Sequence, residues 1–333
     1  MIFDFIFFMR TQVCLIMLLT GLLSSLSLAE ENGSGEEVKA AMVFPSRVLP
    51  LAQNSIISKL YKSKNGLFAV GERGHIFHSA SFKGNEFRQL KTPARQYLTA
   101  ITGDGDQRLW AVGHDSMILF SDNGGKSFSV QHFKPSWKFP PSGEFFIPLF
   151  DIVYLGGDEL VAVGAYGMFL RTTDGGKHWI RVPIDEEGPH FFDVDLAPSG
   201  QLFLAGEFGA VFRCASSGEE AERLNTDVES SFFGIEVISD EEWYGYGLRG
   251  RIYHYQNGSM GTISTDSNAT IFGSLVHDDG ILFYGSDGFV LNYHNGATTP
   301  KSLSERVVIT DGFVHGQQLI LSTTTGFRIV KWQ

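Results

Sequence analysis

The chain has 333 residues, of which 43% are hydrophobic and 19% charged, with a formal net charge of −11. This apolar content excludes disorder over most of the length, and the negative charge argues against nucleic-acid or anionic-membrane surfaces, which need basic patches. The 38 glycines and 29 phenylalanines favour many short strands joined by tight turns.

The N-terminus has the pattern of an export signal. Arg10 precedes an apolar run from Val13 to Leu23, and Ser27 and Ala29 place small residues where a signal peptidase reads them. We therefore expect a signal peptide at 1–29, with Met9 as an alternative start. The expected location is the periplasm; a secreted protein, or one anchored by an uncleaved N-terminal segment, is the alternative.

An acidic linker is expected at 30–41, between the signal peptide and the folded part. Cleavage would leave Cys214 as the remaining cysteine, which rules out an intramolecular disulfide in the mature chain.

A repeat of about 40 residues follows the linker. Each copy consists of an apolar run, a turn resembling G-x-x-G and a second apolar run; the copies align at 67–79, 109–121, 160–172, 202–214, 243–255, 281–293 and 319–331. A further apolar run precedes each copy and a more polar one follows most of them. This period and order predict an all-β, seven-bladed propeller of four-stranded blades over residues 42–333, with the first run of each blade innermost.

The seventh copy lacks an outer strand, because the sequence reaches Gln333 directly after the third one. Residues 42–51, MVFPSRVLPL, have the composition of the other outer strands. We expect this segment to pair with the last blade and close the ring, which would cover an exposed edge.

The segment LRTTDGGKHW at 170–179 recurs as LFSDNGGKSF at 119–128. The pattern is an Asp-box, a turn in which a hydroxyl, a carboxylate or amide, a glycine and an aromatic residue recur at fixed spacing. It is complete in blade 3 and approximate in blade 2, comprising Thr172, Asp174, Gly176 and Trp179, and Ser121, Asn123, Gly125 and Phe128. We expect these residues to serve the fold.

The sequence around 160–182 resembles the bacterial neuraminidase repeat propellers, and among them the photosystem II stability and assembly factors. The resemblance is weaker at 109–130 and otherwise carried by the G-x-x-G pattern. It implies an exported propeller that binds a membrane protein during assembly, without cofactor or catalysis, and it does not imply photosynthesis.

A sialidase-like glycosidase or carbohydrate-binding propeller is the alternative function. Carboxylates do occur on the predicted inner strands, at Asp151, Asp193, Asp195 and Glu236, but the arginine triad that a sialidase needs is missing there. The histidines are scattered, so we expect no catalytic residue, cofactor or metal site.

A partner protein is expected on the face that carries the turns between second and third strands. Binding residues commonly lie on loops held by a rigid scaffold. The candidates on these turns are Arg73, His114, Asp115, Tyr166, Phe208, Arg249 and Asp287.

The same face receives an aromatic and proline-rich insertion at 132–148. Its candidates are Trp137, Phe139, Phe145 and Phe146. They would form either an interface or a lid packed on blades 2 and 3. The expected function is thus an exported scaffold that binds a membrane-associated protein and no nucleic acid, without membrane insertion once the signal is removed. The oligomeric state stays open.

Overall fold

The computed structural model describes residues 44–332 except 83–85, 133–136, 140–142, 146 and 187, and only the backbone of 137–139 and 143–145. The predicted signal peptide at 1–29 and linker at 30–41 lie outside the described residues. Within the described part, no helix has the length and hydrophobicity needed to cross a membrane.

The described chain forms antiparallel sheets that follow one another along the sequence. The first blade consists of β1 (Ile57–Ser63), β2 (Gly66–Gly71), β3 (Ile76–Ser79) and β4 (Arg88–Leu90). The second consists of β5 (Leu98–Gly103), β6 (Leu109–Gly113), β7 (Ile118–Ser121) and β8 (Ser129–His132). A separate hairpin, β9 (Trp137–Phe139) and β10 (Gly143–Phe145), follows within the predicted insertion.

Blades 3 to 5 repeat the four-stranded arrangement. The third consists of β11 (Leu149–Gly156), β12 (Glu159–Gly164), β13 (Met168–Thr172) and β14 (Ile180–Arg181). The fourth consists of β15 (Phe191–Leu196), β16 (Leu202–Gly206), β17 (Val211–Cys214) and β18 (Glu222–Arg223). The fifth consists of β19 (Phe232–Ser239), β20 (Glu242–Gly247), β21 (Ile252–Gln256) and β22 (Ser259–Ile263).

The sixth blade also has four strands, whereas the seventh has three among the described residues. Blade 6 consists of β23 (Ile271–His277), β24 (Gly280–Gly285), β25 (Val290–His294) and β26 (Ala297–Pro300). Blade 7 consists of β27 (Ile309–His315), β28 (Gln318–Thr323) and β29 (Gly326–Lys331). The short 3-10 turns are Ala52–Asn54, Glu72–Gly74, His114–Ser116, Glu207–Gly209, Leu248–Gly250 and Ser286–Gly288.

The first strands of successive blades are neighbours around a ring, and β27 lies beside β1. The apolar core is divided into clusters that lie between adjacent blades, so that blades 3 to 7 each bury both faces against their neighbours. The prediction of a seven-bladed propeller is therefore confirmed.

The repeated G-x-x-G pattern has a steric cause on both glycines. A Cβ on Gly71 would lie 2.0 Å from the carbonyl oxygen of Ile56, where the blade's inner strand begins. Gly74 has φ +69°, and its Cβ would lie 2.0 Å from the carbonyl oxygen of Ala94, in the connection to blade 2. The first glycine thus provides space, and the second provides space and a left-handed backbone.

The predicted closing strand at 42–51 is wrong. Its described part, 44–51, forms no strand and is bonded to blade 1: Ser46 N donates to Thr92 O at 2.9 Å, and the Gln89 amide bridges Arg47 O and Leu49 N at 2.7 and 2.8 Å. Proline provides no N–H for a ladder, so Pro45 and Pro50 interrupt any continuous pairing of this segment with β29.

The ring is instead closed by the inner strands. Leu60 N of blade 1 donates to Asp311 Oδ2 of blade 7 at 2.7 Å, and Tyr284 of blade 6 donates to Asp311 Oδ1 at 2.6 Å. Ile320 of β28 packs into the same cluster as Ile57 and Leu60. Blades 6, 7 and 1 are thereby joined at one carboxylate.

Candidate functional site

The turns between second and third strands and the connections between blades lie on one face, which we call the tip face. Several of these turns are held from two sides. In blade 3, Ala165 N donates to Pro148 O of its own blade, and Gly167 N donates to Pro189 O of the connection to blade 4. The tips are therefore fixed in position by the ring.

Six tips present a residue other than glycine in the left-handed conformation, with φ between 53° and 60°. These residues are Arg73, Asp115, Tyr166, Phe208, Arg249 and Asp287. Such a conformation is uncommon for a bulky side chain and costs on the order of 1–2 kcal/mol. The tip candidates predicted from the sequence are thus the strained residues of the turns, apart from His114, which precedes Asp115.

Two of these tips expose aromatic rings: Phe208 is 66% exposed and Tyr166 39% exposed. Arg73, Arg249 and Asp287 are also exposed. His114 and Asp115 are half-buried, unlike the other five candidates. Burial lowers the pKa of His114 to about 4, which keeps its ring neutral, and raises the pKa of the Asp115 carboxyl. They are therefore less suited to contact with a partner than the other five.

A row of phenylalanine rings lies at the mouth of the central channel beside these tips. It comprises the second residue of the inner strand in blades 3 to 6, namely Phe150, Phe192, Phe233 and Phe272. Successive ring centroids are 5.6, 5.7 and 5.9 Å apart. Three of the rings are half-buried and Phe233 is buried. We call this row the aromatic arc.

The aromatic tips adjoin the arc. The centroid of the Tyr166 ring lies 4.7 Å from that of His190. The His190 centroid lies 6.2 Å from that of Phe192 and 6.5 Å from that of Phe150. Glu207 holds the His190 ring in place through a 2.6 Å contact to Nδ1. Phe208 N donates to Ser231 Oγ, two residues before Phe233. Tips and arc together form an apolar surface on one side of the mouth.

The corresponding inner-strand positions of the other three blades are hydroxyl residues, Ser58, Thr99 and Thr310. Ser58 donates to the Tyr97 hydroxyl at 2.7 Å, and Thr99 donates to Leu149 O at 2.8 Å. The mouth is therefore aromatic over blades 3 to 6 and polar over blades 7, 1 and 2.

The inner-strand carboxylates below the mouth join adjacent blades. Asp193 and Asp195 accept bonds from Ile235 N and Val237 N of the next blade, at 2.9 and 2.7 Å. Asp151, buried, accepts from Val194 N at 3.3 Å in the same way. These three carboxylates therefore tie adjacent blades together.

The channel carries more acidic than basic groups. The negative charge of Asp151, with those of Asp311, Asp193 and Asp195, raises the pKa of Lys59 despite its desolvation. Burial raises the pKa of Asp151 well above its usual range, that of Asp195 to about 6 and that of Glu236 to about 7. The seven described inner strands contain no arginine, so the carboxylate grip of a sialidase has no counterpart on them.

The Asp-box turns lie on the opposite face. Thr172 Oγ1 donates to Asp174 Oδ1 at 2.8 Å, and Asp174 Oδ1 accepts from His178 N at 3.0 Å, which is the main reason that the pKa of Asp174 is lowered. Blade 2 repeats this arrangement: Gly125 N donates to Ser121 Oγ and Ser127 N donates to Asn123 Oδ1, both at 3.0 Å.

The aromatic residues of the two Asp-boxes differ in environment. Trp179 is 8% exposed in the core shared by blades 2 and 3, whereas Phe128 is half-buried. Trp110 Nε1 and Gln131 Nε2 of blade 2 both donate to Gly175 O within the blade 3 turn.

The insertion enters the tip face, because it connects the outer strand of blade 2 to the inner strand of blade 3. Trp137, Phe139 and Phe145 lie on the hairpin β9 and β10, of which only the backbone is described, and Phe146 lies outside the described residues. Whether these four aromatics belong to the site stays a prediction.

The sequence prediction missed the aromatic arc. A signal was present, because the inner strands of blades 3 to 6 begin with the related letters LFD, FFD, FFG and IFG. The strand in this position has a bulge after its first residue, as the register shows for Leu149 to Asp151. Because of this bulge, the alternation of apolar and polar residues did not reveal that the second residue of each strand contacts the second residue of the neighbouring blade.

The family model that matches this chain is described as photosynthesis system II assembly factor YCF48 and covers residues 79–253. Two curated relatives, both named photosystem II assembly lipoprotein Ycf48, are 26% identical. The one from a Picosynechococcus species aligns over 48% of this chain and 47% of its own, and the one from a Synechococcus species over 43% and 41%. The chain thus spans about half the length of the curated relatives that it matches.

Three solved structures are similar to the chain. YCF48 bound to D1 peptide matches with a TM-score of 0.68 and 14% identity, over 89% of this chain and 100% of its own. YCF48 from Cyanidioschyzon merolae has a TM-score of 0.67 and 14% identity over 85% and 97%. The WD40 domain of Doa1 has a TM-score of 0.67 and 12% identity over 86% and 96%. Identities this low show the fold alone.

The family model, however, covers more than half of the sequence, and the chain therefore belongs to the photosynthesis system II assembly factor YCF48 family.

Proposed function

We propose that this protein is an exported, non-enzymatic scaffold that binds a segment of a membrane protein while a membrane complex is assembled. Membership of the assembly-factor family supports this role, as does the D1 peptide named with one related structure. The curated relatives are named lipoproteins, which supports export and a periplasmic location.

The observation that carries the proposal is the pair of exposed aromatic tips. Tyr166 and Phe208 are held in a left-handed conformation beside the aromatic arc. Folding alone gives no reason to place a large apolar ring in a strained, exposed position, since glycine or asparagine would form the same turn at lower cost. Interfaces between proteins are enriched in such aromatic residues.

The partner would be an extended segment laid across the tip face, with apolar side chains on the arc. The surrounding tips Arg73, Arg249 and Asp287 would lie at the rim, where charges mainly tune the association rate. The insertion with Trp137, Phe139, Phe145 and Phe146 would add a second aromatic contact at the same face.

The proposal can be tested on solubilised native membranes. Immobilised wild-type protein should retain a membrane protein, and the variant Tyr166→Ala with Phe208→Ala should retain much less of it. The purified protein should not hydrolyse fluorogenic sialosides. Turnover of the sialosides would contradict the proposal and favour the sialidase-like alternative. Equal retention of the membrane protein by wild type and variant would also contradict the proposal.

A further inference from the structure

The tip face is divided by charge. The tips and connections of blades 3 and 4 contain no lysine or arginine among their described residues, which lie in 165–167, 182–190, 207–209 and 224–231. Five of these residues are acidic, namely Asp185, Glu186, Glu207, Asp227 and Glu229. The tip of blade 1 and the connection that follows it instead carry Arg73, Lys91 and Arg95 against one acid, Glu72. The aromatic side of the mouth is therefore acidic, and blade 1, across the ring from blade 4, is basic.

The exposed ring of Phe208 and the connection from blade 4 to blade 5 form one rigid unit. Phe208 N donates to Ser231 Oγ at 3.4 Å, and Thr226 Oγ1 donates to Gly209 O at 2.9 Å. These two bonds hold both ends of the segment 226–231 against the tip. The segment carries two exposed acidic residues, Asp227 and Glu229. A large exposed aromatic ring and two carboxylates are thus presented on the same part of the tip face.

The protein itself does not neutralise these two carboxylates. Among the described residues, neither Asp227 nor Glu229 has an ion-pair partner. Arg223, at the end of the preceding strand, lies over the Phe212 ring at 5.9 Å instead. Arg249 belongs to the next tip, on blade 5, and bounds the acidic region on that side. The negative charge beside Phe208 is therefore available to a partner.

We propose that the acidic side of the tip face selects a basic stretch of the partner segment, with an arginine stacked on Phe208 and paired with Asp227 or Glu229. This inference rests on the proposed function and adds the chemistry of the partner. An aromatic face attracts a cation, and a guanidinium group can stack on a ring while its N–H groups bind a carboxylate.

The apolar residues of the same stretch would lie on the aromatic arc. The basic residues of blade 1 would repel the stretch, because like charges brought together at an interface are unfavourable. Charge would therefore determine on which side of the mouth the partner segment lies.

The experiment uses the acetylated and amidated pentapeptide Leu-Arg-Phe-Arg-Leu, with Leu-Gln-Phe-Gln-Leu as the neutral probe, in titration calorimetry on the full chain. The arginine peptide should bind at least about tenfold more tightly than the glutamine peptide. The double variant Asp227→Asn with Glu229→Gln should reduce this preference to about twofold or less, without changing the affinity for the glutamine peptide. Both side chains are exposed, so the variant should keep the wild-type melting temperature.

Glu241→Gln with Asp278→Asn is the matched control. It also removes two exposed carboxylates, but from hairpin turns on the opposite face. Because the chain has a net charge of −11, any cationic peptide is attracted to it, and this control measures that general effect. The control should leave the preference for the arginine peptide unchanged. Equal losses in the two double variants would overturn the inference, as would equal affinity of the wild type for the two peptides.

Phe208→Leu tests the stacking, because leucine keeps an apolar side chain without an aromatic face. It should weaken the arginine peptide at least about threefold more than the glutamine peptide. An equal effect on both peptides would overturn the stacking of an arginine on Phe208. A protein that retains its membrane partner through Tyr166 and Phe208 but shows no preference for the arginine peptide would refute this inference alone and leave the proposed function intact.

Discussion

Single residues at the tips of this propeller combine backbone strain with exposure. Phe208 has φ 53° and is 66% exposed, so it has little packing to offset its strained conformation. Asn257, by contrast, has φ 49° in a hairpin on the opposite face, where asparagine is an ordinary choice for this turn. Residue type therefore distinguishes strain that serves a turn from strain that the turn does not require.

Trp179→Ala tests whether the Asp-box serves the fold. The indole is buried between blades 2 and 3, so its removal should lower the free energy of unfolding by about 3–5 kcal/mol. Trp179→Phe should cost clearly less, because the indole N–H has no hydrogen-bond partner in the described chain. Denaturant unfolding measures both, and a Trp179→Ala variant with wild-type stability but impaired partner binding would assign the motif to function.

Glu236 should make stability depend on pH. Burial raises its pKa to about 7 in the folded state from 4.5, so its contribution is complete below about pH 4.5 and is lost as the pH rises through 7. His75 and His114, with pKa values lowered to about 4, act in the opposite direction, so the variant Glu236→Gln must isolate the effect. We expect Glu236→Gln to be stabilising at pH 8 and nearly neutral at pH 5. Equal effects at both pH values in denaturant titrations would contradict this.

At the scale of elements, the repeat predicted the blades well because each G-x-x-G hairpin is determined locally, by glycines that avoid nearby carbonyl oxygens. The role of residues 42–51 was predicted wrongly, because the lack of an outer strand in the seventh repeat does not show which segment takes its place. The bonds of 44–51 come from Gln89, on the outer strand of blade 1, and from Thr92 and Arg95 just after it, all distant in sequence. The aromatic arc likewise depends on contacts between different blades, which the pattern within one blade does not reveal.

Asp311→Ala tests the junction that closes the ring. The substitution leaves Leu60 N–H and the Tyr284 hydroxyl without their acceptor, so the free energy of unfolding should fall by about 2–3 kcal/mol. Asp240→Ala is the control. It removes the acceptor of a solvent-exposed hydrogen bond that Ser199 Oγ donates from the neighbouring blade, and it should change the free energy of unfolding by less than about 0.5 kcal/mol. Thermal unfolding of the two variants compares them; similar melting temperatures would show that Asp311 is not needed for closure.

The hairpin β9 and β10 carries the predicted aromatic insertion, and Trp137→Ala distinguishes an interface from a lid. If the hairpin contacts the partner, the variant should bind the membrane protein retained by the wild type at least about tenfold more weakly with an unchanged melting temperature. A lower melting temperature with intact affinity would identify a lid packed on the blades. Arg73→Ala serves as the comparison at the rim and should have a smaller effect on affinity.

At the scale of the whole molecule, the ring separates two surfaces. The tip face has an aromatic arc and fixed, strained tips, whereas the Asp-box face has polar turns. The inner-strand carboxylates between them tie the blades together. Such a rigid body suits a scaffold that holds a partner without changing its own shape.

The central claim, that a partner segment binds the aromatic tip face, is tested most directly by the affinity of Phe208→Gly for the membrane protein that the wild type retains from native membranes. Glycine relieves the strain at φ 53° and removes the exposed ring, so the melting temperature should stay the same or rise, while Kd should increase about tenfold or more. Asn257→Gly, the same type of change on the opposite face, should leave Kd unchanged. Wild-type affinity in Phe208→Gly would contradict the account.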